Sequence, residues 1–227
     1  MTRSLARATL SLALIASLGC PRSGDAPETT GQPAARETAG DSLLGLADAA
    51  RIQGSASAPV WVVEVSDFQC PFCKTWHDSV YDAFRREFVT SGTVRFAYIN
   101  YPLPNHANAM PAAEAAMCAG LQGKFWEMHD GLFERQHDWA HVPNAAAVFD
   151  SVARSKGVDV TAMRQCITSG AVRQLIRADV DRAQETGVQG TPSFLIGGDV
   201  LLRGMQPLEN LRRAIAEKLP GPERPRR

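Results

Sequence analysis

Between residues 58 and 219 the apolar positions change period in a fixed order. Val60 to Val65 (VWVVEV) is an almost unbroken β-branched and aromatic run, the pattern of a strand buried on both faces. Directly after Cys70-Pro71-Phe72-Cys73, the apolar residues Phe72, Trp76, Val80, Phe84 and Phe88 recur every four positions. That spacing predicts a helix to about Thr90 with one apolar stripe. Ser91-Gly92 ends it, and Val94 to Ile99 (VRFAYI) alternates as a second strand. Five stretches with helical spacing and few breakers follow: Ala107–Ala119, Lys124–Glu134, Ala145–Lys156, Val160–Ser169 and Val172–Thr186. Then Phe194-Leu195-Ile196 and Val200-Leu201-Leu202 flank Gly197-Gly198-Asp199, a glycine-rich turn between apolar runs and so a hairpin. Pro207 to Leu219 reads as a closing helix.

Strand, helix and strand with a crossover of the first length form a right-handed βαβ unit. The whole order is βαβ, a block of helices over about residues 104–187, then ββα. It predicts one α/β domain over 51–219 that resembles a thioredoxin-like fold with a helical insertion between its two halves.

The polar pattern sets the ends apart. Arg3 and Arg7 precede a short apolar stretch, Leu10 to Leu18, and then Gly19-Cys20. A positive region followed by a short apolar one reads as an export signal over residues 1–19; the alternative is a buried amphipathic helix. A cysteine after a small residue at such a place resembles a bacterial lipobox, in which Cys20 would be lipidated, although Ser17 and Leu18 depart from the usual pattern. Ordinary cleavage near Gly19 is the other reading. Residues 20–50 are expected to be a flexible tether, because 21–45 are mostly Pro, Gly, Ala, Ser and Thr with scattered charge and bury too little apolar area to offset ordering. The tail, 220–227, is expected to be disordered for the same reason.

Composition narrows the function classes. The 227 residues are 44% hydrophobic and 21% charged, ordinary globular values that exclude wholesale disorder. The chain has 24 basic and 24 acidic residues, so nothing in the balance favours nucleic acid. Without residues 1–19 two arginines go, leaving 22 basic against 24 acidic, a net of −2. No apolar run reaches the roughly 18–20 residues of a membrane-spanning helix.

Five cysteines are too few for a disulfide-stapled scaffold, so their places carry the information. Cys70 and Cys73, at i and i+3 in the first turn after a strand, put both sulfurs on one side of that turn, close enough to form and break a disulfide. Cys70 would sit at the helix N-terminus, where unpaired N–H groups and the macrodipole favour an anion. That lowers its pKa and makes it the accessible, attacking thiolate. Pro71 suits the first turn, which needs no donor there, and Cys73 would resolve the mixed disulfide. A zinc half-site or a structural bridge are the other readings, but zinc wants four ligands and no second paired motif exists.

Ser66-Asp67-Phe68-Gln69-Cys70-Pro71-Phe72-Cys73 after an apolar strand, with Gly190-Thr191-Pro192 before a hairpin, resembles the DsbA-like thioredoxin family. Gln122 to His129 (QGKFWEMH) is similar to a stretch common in that family's helical insertion, and the resemblance spans roughly Ala58 to Leu219. It implies an exported thiol–disulfide oxidoreductase acting on cysteine-containing proteins, with a membrane thiol-oxidising or thiol-reducing partner. Pro-Phe stands between the cysteines where the strongest oxidants carry Pro-His, which leaves the direction of electron flow open.

The resemblance also implies roles outside the CxxC turn. Pro192 would be cis and face that turn, freeing the Thr191 backbone to pair with an extended substrate; with Pro71 and Phe72 these make the expected substrate-binding set. An ordinary strand-entry proline is the alternative. Glu64, the one charge in VWVVEV, stands where the family keeps an acid under the site. Buried there it would have a raised pKa and exchange a proton with Cys73, unless it faces solvent. Cys118 and Cys166, both on expected helices, are read as a structural disulfide, or as two separate buried thiols. The five histidines form no HxxxH or HxH pair with a matching carboxylate, so no metal is expected, and no motif calls for a cofactor. His77, one turn past Cys73, is read as a surface histidine. Trp76, Phe125, Trp126 and Phe133 are read as core or groove lining.

Two classes of function follow. One is an enzyme exchanging disulfides with proteins, as an oxidant or as a reductase or isomerase. The other is a tethered peptide-binding module whose dithiol is incidental, and the intact CxxC with Thr-Pro argues against it.

Overall fold

The computed structural model describes residues 39–220. The expected export signal, Cys20, residues 20–38 of the tether and residues 221–227 lie outside them. Five strands form one sheet in the order β1-β3-β2-β4-β5: β1 (Ile52–Gln53), β2 (Val60–Ser66), β3 (Val94–Asn100), β4 (Ser193–Ile196) and β5 (Val200–Arg203). β2 and β3 run parallel, and the other pairs are antiparallel. β2 is central and covered on both sides, which is why its sequence is apolar almost throughout. Gly197 and Gly198, at φ 62° and 89°, supply the left-handed backbone that closes the β4–β5 turn.

One face of the sheet carries Val60, Val62, Phe96 and Phe194. It packs against α2 (residues 71–89) and the closing helix α9 (Leu208–Lys218) through Trp76, Phe84, Leu211 and Ile215. Val65 and Ile99 face the other way and meet Val180 and Ala183 of α8 (Ala171–Glu185).

α2 departs from a uniform α-helix. It winds as π-helix over His77–Tyr81 and again over Arg85–Val89. A four-residue repeat overshoots each 3.6-residue turn by about 40°. The wider π turns absorb that drift, so Trp76, Phe84 and Phe88 all stay buried. Phe72, expected on the same stripe, is 65% exposed. It belongs to the first turn, before the helix meets the sheet.

The remaining helices lie between β3 and β4: α3 (Ala109–Gly120), α4 (Phe125–Glu134), α5 (Gln136–Trp139), α6 (Ala146–Ser155), α7 (Val160–Ser169) and α8. Their core is built on the alanines of α3 with Met117, Met128, Phe125 and Trp139. A disulfide joins Cys118 on α3 to Cys166 on α7, with Cα atoms 5.8 Å apart.

The tether expected at 20–50 needs correction at its end. Residues Ala39–Ala50 form a helix, α1. Its alanines are what allow this: Ala47 is fully buried, and Ala50 approaches Gly120 of α3 so closely that a Cβ there would lie 3.3 Å from Ala50 Cβ. Arg51, directly after, is buried and paired with Asp179 of α8, Nη2 to Oδ1 at 2.9 Å. Small-to-small packing and one long-range ion pair thus order a segment whose composition is that of a linker.

Candidate active site

The β2–α2 junction determines where both thiols go. Cys70 is the N-cap of α2, with extended backbone, and Pro71 occupies the first turn. The Cys70 N–H donates to Asp67 O at 3.0 Å, and the Cys70 carbonyl accepts from Lys74 N at 3.1 Å. Cys70 and Cys73 are free thiols. Cys70, expected to be accessible, is only 3% exposed, and Cys73 is fully buried. Thr191 accounts for the difference, because its carbonyl oxygen lies 3.5 Å from Cys70 Sγ. The Thr191–Pro192 peptide is cis, and Pro192 is buried beside that contact.

The environment splits the two thiols apart. The Cys73 thiol donates to the Cys70 sulfur, and this, with the Thr191 side chain and the N–H groups of Cys73 and Phe72, outweighs burial and pulls Cys70 down to about pKa 6. Cys73 moves the other way, raised chiefly by burial and then by the charges of Cys70 and Glu64. The arrangement makes Cys70 a thiolate near neutral pH and keeps Cys73 protonated.

Glu64 is 1% exposed, so it does not face solvent. It stands between Tyr98 on β3 and Phe194 on β4, on the face covered by α2. Burial raises its pKa to about 7, against the opposing effects of Ser66 and His77. A carboxyl titrating there can hold or give up a proton at the pH of the chemistry.

Side chains far along the chain hold the turn from behind, and no sequence pattern announced them. Gln136 of α5 donates to the carbonyls of Phe68 at 2.7 Å and Cys70 at 3.0 Å. Gln69 accepts from Asn108 N at 2.7 Å. Asp67 accepts from Leu103 N at 2.9 Å and from Gln69 N at 2.7 Å, and meets His106 Nδ1 at 2.6 Å. Apart from Gln69 N, every partner comes from the segment after β3. The helical insertion therefore shapes the loop that carries Cys70.

His77 is not the surface residue expected. Its side chain is 12% exposed, and its ring stacks 4.9 Å from Phe133 and 5.3 Å from Tyr81. Donor atoms of His77, His129 and Asp130 lie within 4.8 Å of one another. Asp130 Oδ1 is already bonded to His129 Nδ1 at 2.8 Å and lies 3.5 Å from His77 Nε2. Asp130 Oδ1 thus links the two imidazoles. Trp76, Phe125 and Phe133 are core residues, each 1% exposed.

A dithiol at a helix start, facing a cis-proline loop on this sheet, has counterparts among known proteins. The family model for thioredoxin matches residues 47–217. The chain belongs to the thioredoxin family. Within it the architecture is DsbA-like: the crystal structure of oxidised BdbD from Bacillus subtilis superposes with a TM-score of 0.67 at 22% identity, covering 74% of this chain and 91% of that one. The "Probable disulfide bond formation protein D" of Bacillus anthracis is 29% identical over 169 residues, 73% of this chain and 76% of that relative. A 38% identical match to the Na(+)/H(+) antiporter NhaA 1 of Salinispora arenicola spans 66% of this chain but 22% of the antiporter, and so concerns one part of that protein. With its paired thiols on this thioredoxin-family scaffold, the chain is a thiol–disulfide oxidoreductase.

Proposed function

We propose that this protein is exported and exchanges the Cys70–Cys73 disulfide with cysteine-containing proteins through a mixed disulfide, chiefly in the oxidising direction. The observation that carries the reading is the free thiol pair at the start of α2, with Cys70 at the N-cap and Cys73 sealed beneath it, which displaces the two pKa values in opposite directions. A substrate thiolate attacks Cys70 Sγ of the oxidised protein, and Cys73 leaves with the electron pair and takes a proton from Glu64. A second substrate thiolate then attacks the substrate's own sulfur in the mixed disulfide and expels Cys70. The substrate loses two electrons and two protons, and the enzyme disulfide becomes a dithiol. A thiolate of low pKa is the better leaving group, so the last step runs readily toward substrate oxidation.

Export is supported by the Arg3, Arg7 and Leu10–Leu18 pattern, with Cys20 as the candidate lipid anchor. Among the described residues no helix is long and apolar enough to cross a membrane. Continued turnover then needs a membrane thiol-oxidising partner to restore the disulfide. The names of the Bacillus relatives agree with the oxidising direction.

The deciding measurement is the reduction potential of the Cys70–Cys73 couple against glutathione. A value well above the glutathione pool supports an oxidant, and one near that of thioredoxin replaces this reading with a reductase. Cys73→Ala should accumulate mixed disulfides with client proteins, and Cys70→Ala should not.

A further inference from the structure

Buried polar atoms around the dithiol that have no hydrogen-bond partner among the described residues include Glu64 Oε2, the Tyr98 hydroxyl, Trp76 Nε1, His77 Nε2 and His129 Nε2. Protein interiors leave few such groups, and internal water usually serves those that occur. These atoms belong to adjoining side chains. Tyr98 stands opposite Glu64 in the β2–β3 register, and its ring centroid is 5.0 Å from that of His129. The His129 and His77 rings are 5.5 Å apart, and Asp130 Oδ1 links both. At one end Glu64 and Cys73 are sealed from solvent, while at the other the side chains of His77 and Asp130 are 12% and 28% exposed.

We propose that His77, His129 and Asp130 form the proton exit of Glu64, joining the sealed dithiol to bulk water through bridging internal water. The proposal rests on Glu64 being the proton partner of Cys73. When Cys73 attacks a mixed disulfide, its S–H bond breaks and the proton passes to the Glu64 carboxylate. The Cys73–Cys70 bond forms, and the sulfur of the disulfide-linked oxidising partner departs with the electron pair, the step that restores the enzyme disulfide in the proposed cycle. Glu64 is then neutral, 1% exposed between Tyr98 and Phe194, and must lose that proton before it can act again. His77 takes it and Asp130 stabilises the imidazolium until bulk water removes the proton.

The groups facing the exit fit an outward path. On α2 these are Asp78, whose Oδ1 is 3.2 Å from His77 Nδ1, with Tyr81 and Arg85; on α4, His129 and Asp130; on the sheet, Glu64 and Tyr98. Burial holds the inner His129 below its ordinary pKa. Burial also opposes charge on His77, but Asp130, Asp78 and Glu64 outweigh it and raise its pKa. The outer imidazole is therefore the better proton acceptor.

The test uses the full chain with a peptide disulfide-linked to Cys70, following its release by stopped flow from pH 6 to 8. His77→Ala should slow release by roughly tenfold, a part of what positioned proton transfer contributes. Added imidazole should restore the rate in proportion to its concentration. Asp130→Asn should also slow release, and Cys70 alkylation should keep its pH midpoint in both variants. Should His77→Ala fail to fold, His77→Gln and Asp130→Asn carry the same test. A parental rate in the exit variants, or a slowed rate that imidazole leaves unchanged, overturns the proposal. Glu64→Gln separates the two ideas: if it is slow while His77→Ala is normal, only the exit fails, and if it too is normal, the role of Glu64 fails with it.

Discussion

The carbonyl oxygen of Thr191 lies 3.5 Å from the sulfur of Cys70, across 121 residues of chain. In the exchange proposed above, chemistry and substrate binding would meet at this one point. An extended segment pairing with the Thr191 backbone would bring its own sulfur to Cys70, and Phe72, 65% exposed, offers an apolar edge beside it. Phe72→Ala should weaken capture of apolar-flanked cysteine peptides several-fold in KM with little change in kcat, because the aromatic side chain adds contact area without touching the thiols. Steady-state oxidation of a model dithiol peptide checks the split.

Cys70 should give the reduced protein a pH-dependent stability. Its folded pKa, about 6, is below the unfolded value, so the stabilisation is full above the unfolded pKa and is lost as pH falls through the folded one. One pKa unit is worth about 1.4 kcal/mol. The melting temperature of the reduced protein should therefore fall by several degrees relative to the oxidised form between pH 8 and pH 5. Cys70→Ser should abolish that trend. Iodoacetamide should label Cys70 first, with a rate midpoint near pH 6; earlier labelling of Cys73 would reverse the assignment.

Glu64 should act in the opposite sense. Its folded pKa of about 7 is above the unfolded one, so it costs stability from the unfolded pKa upward, fully so above the folded value. Glu64→Gln should stabilise the fold at pH 8, by up to about 3 kcal/mol from that shift, and should be nearly neutral at pH 4. Chemical denaturation at the two pH values measures this. The same substitution should slow release by Cys73 most near neutral pH.

The Cys118–Cys166 bridge spans 48 residues, for which loop-closure entropy gives about 4 kcal/mol. Cys118→Ala with Cys166→Ala should lower the melting temperature markedly while leaving the potential of Cys70–Cys73 unchanged. Intact-mass analysis of unreduced protein should show the bridge resisting mild reduction. Free thiols at both positions would remove the basis for this expectation.

Gln136 donates to the carbonyls of Phe68 and Cys70 from inside the insertion. Gln136→Leu leaves the buried Phe68 carbonyl unpaired and takes one of two donors from the Cys70 carbonyl, at about 1–3 kcal/mol for such a loss. It should also shift the alkylation midpoint of Cys70, since the turn that aims N–H groups at the sulfur loosens. A stability loss with an unmoved midpoint would confine Gln136 to packing.

The chain's own pattern was enough for the βαβ, helical and ββα order, for Cys70 and Cys73 at a helix start, and for the apolar strand that contains Glu64. These are local signals: a two-residue or near-four-residue apolar period and an i, i+3 spacing survive whatever the rest of the chain does. The order of α1 (Ala39–Ala50) was not legible, because a linker-like composition becomes ordered only when Ala47 and Ala50 find Gly120 and Arg51 finds Asp179. Nor were Gln136 on its four-residue helix or the His77–Asp130–His129 trio. In both, the partners are brought together by packing between helices and not by any spacing along the chain. The two thiol pKa values divide in the same way. Position at a helix start, readable in the sequence, predicts a thiolate at Cys70. The complete burial of Cys73 and the approach of Thr191 to Cys70 depend on where the sheet and insertion place distant backbone. Desolvation and hydrogen bonding act through space, so only the tertiary structure decides them.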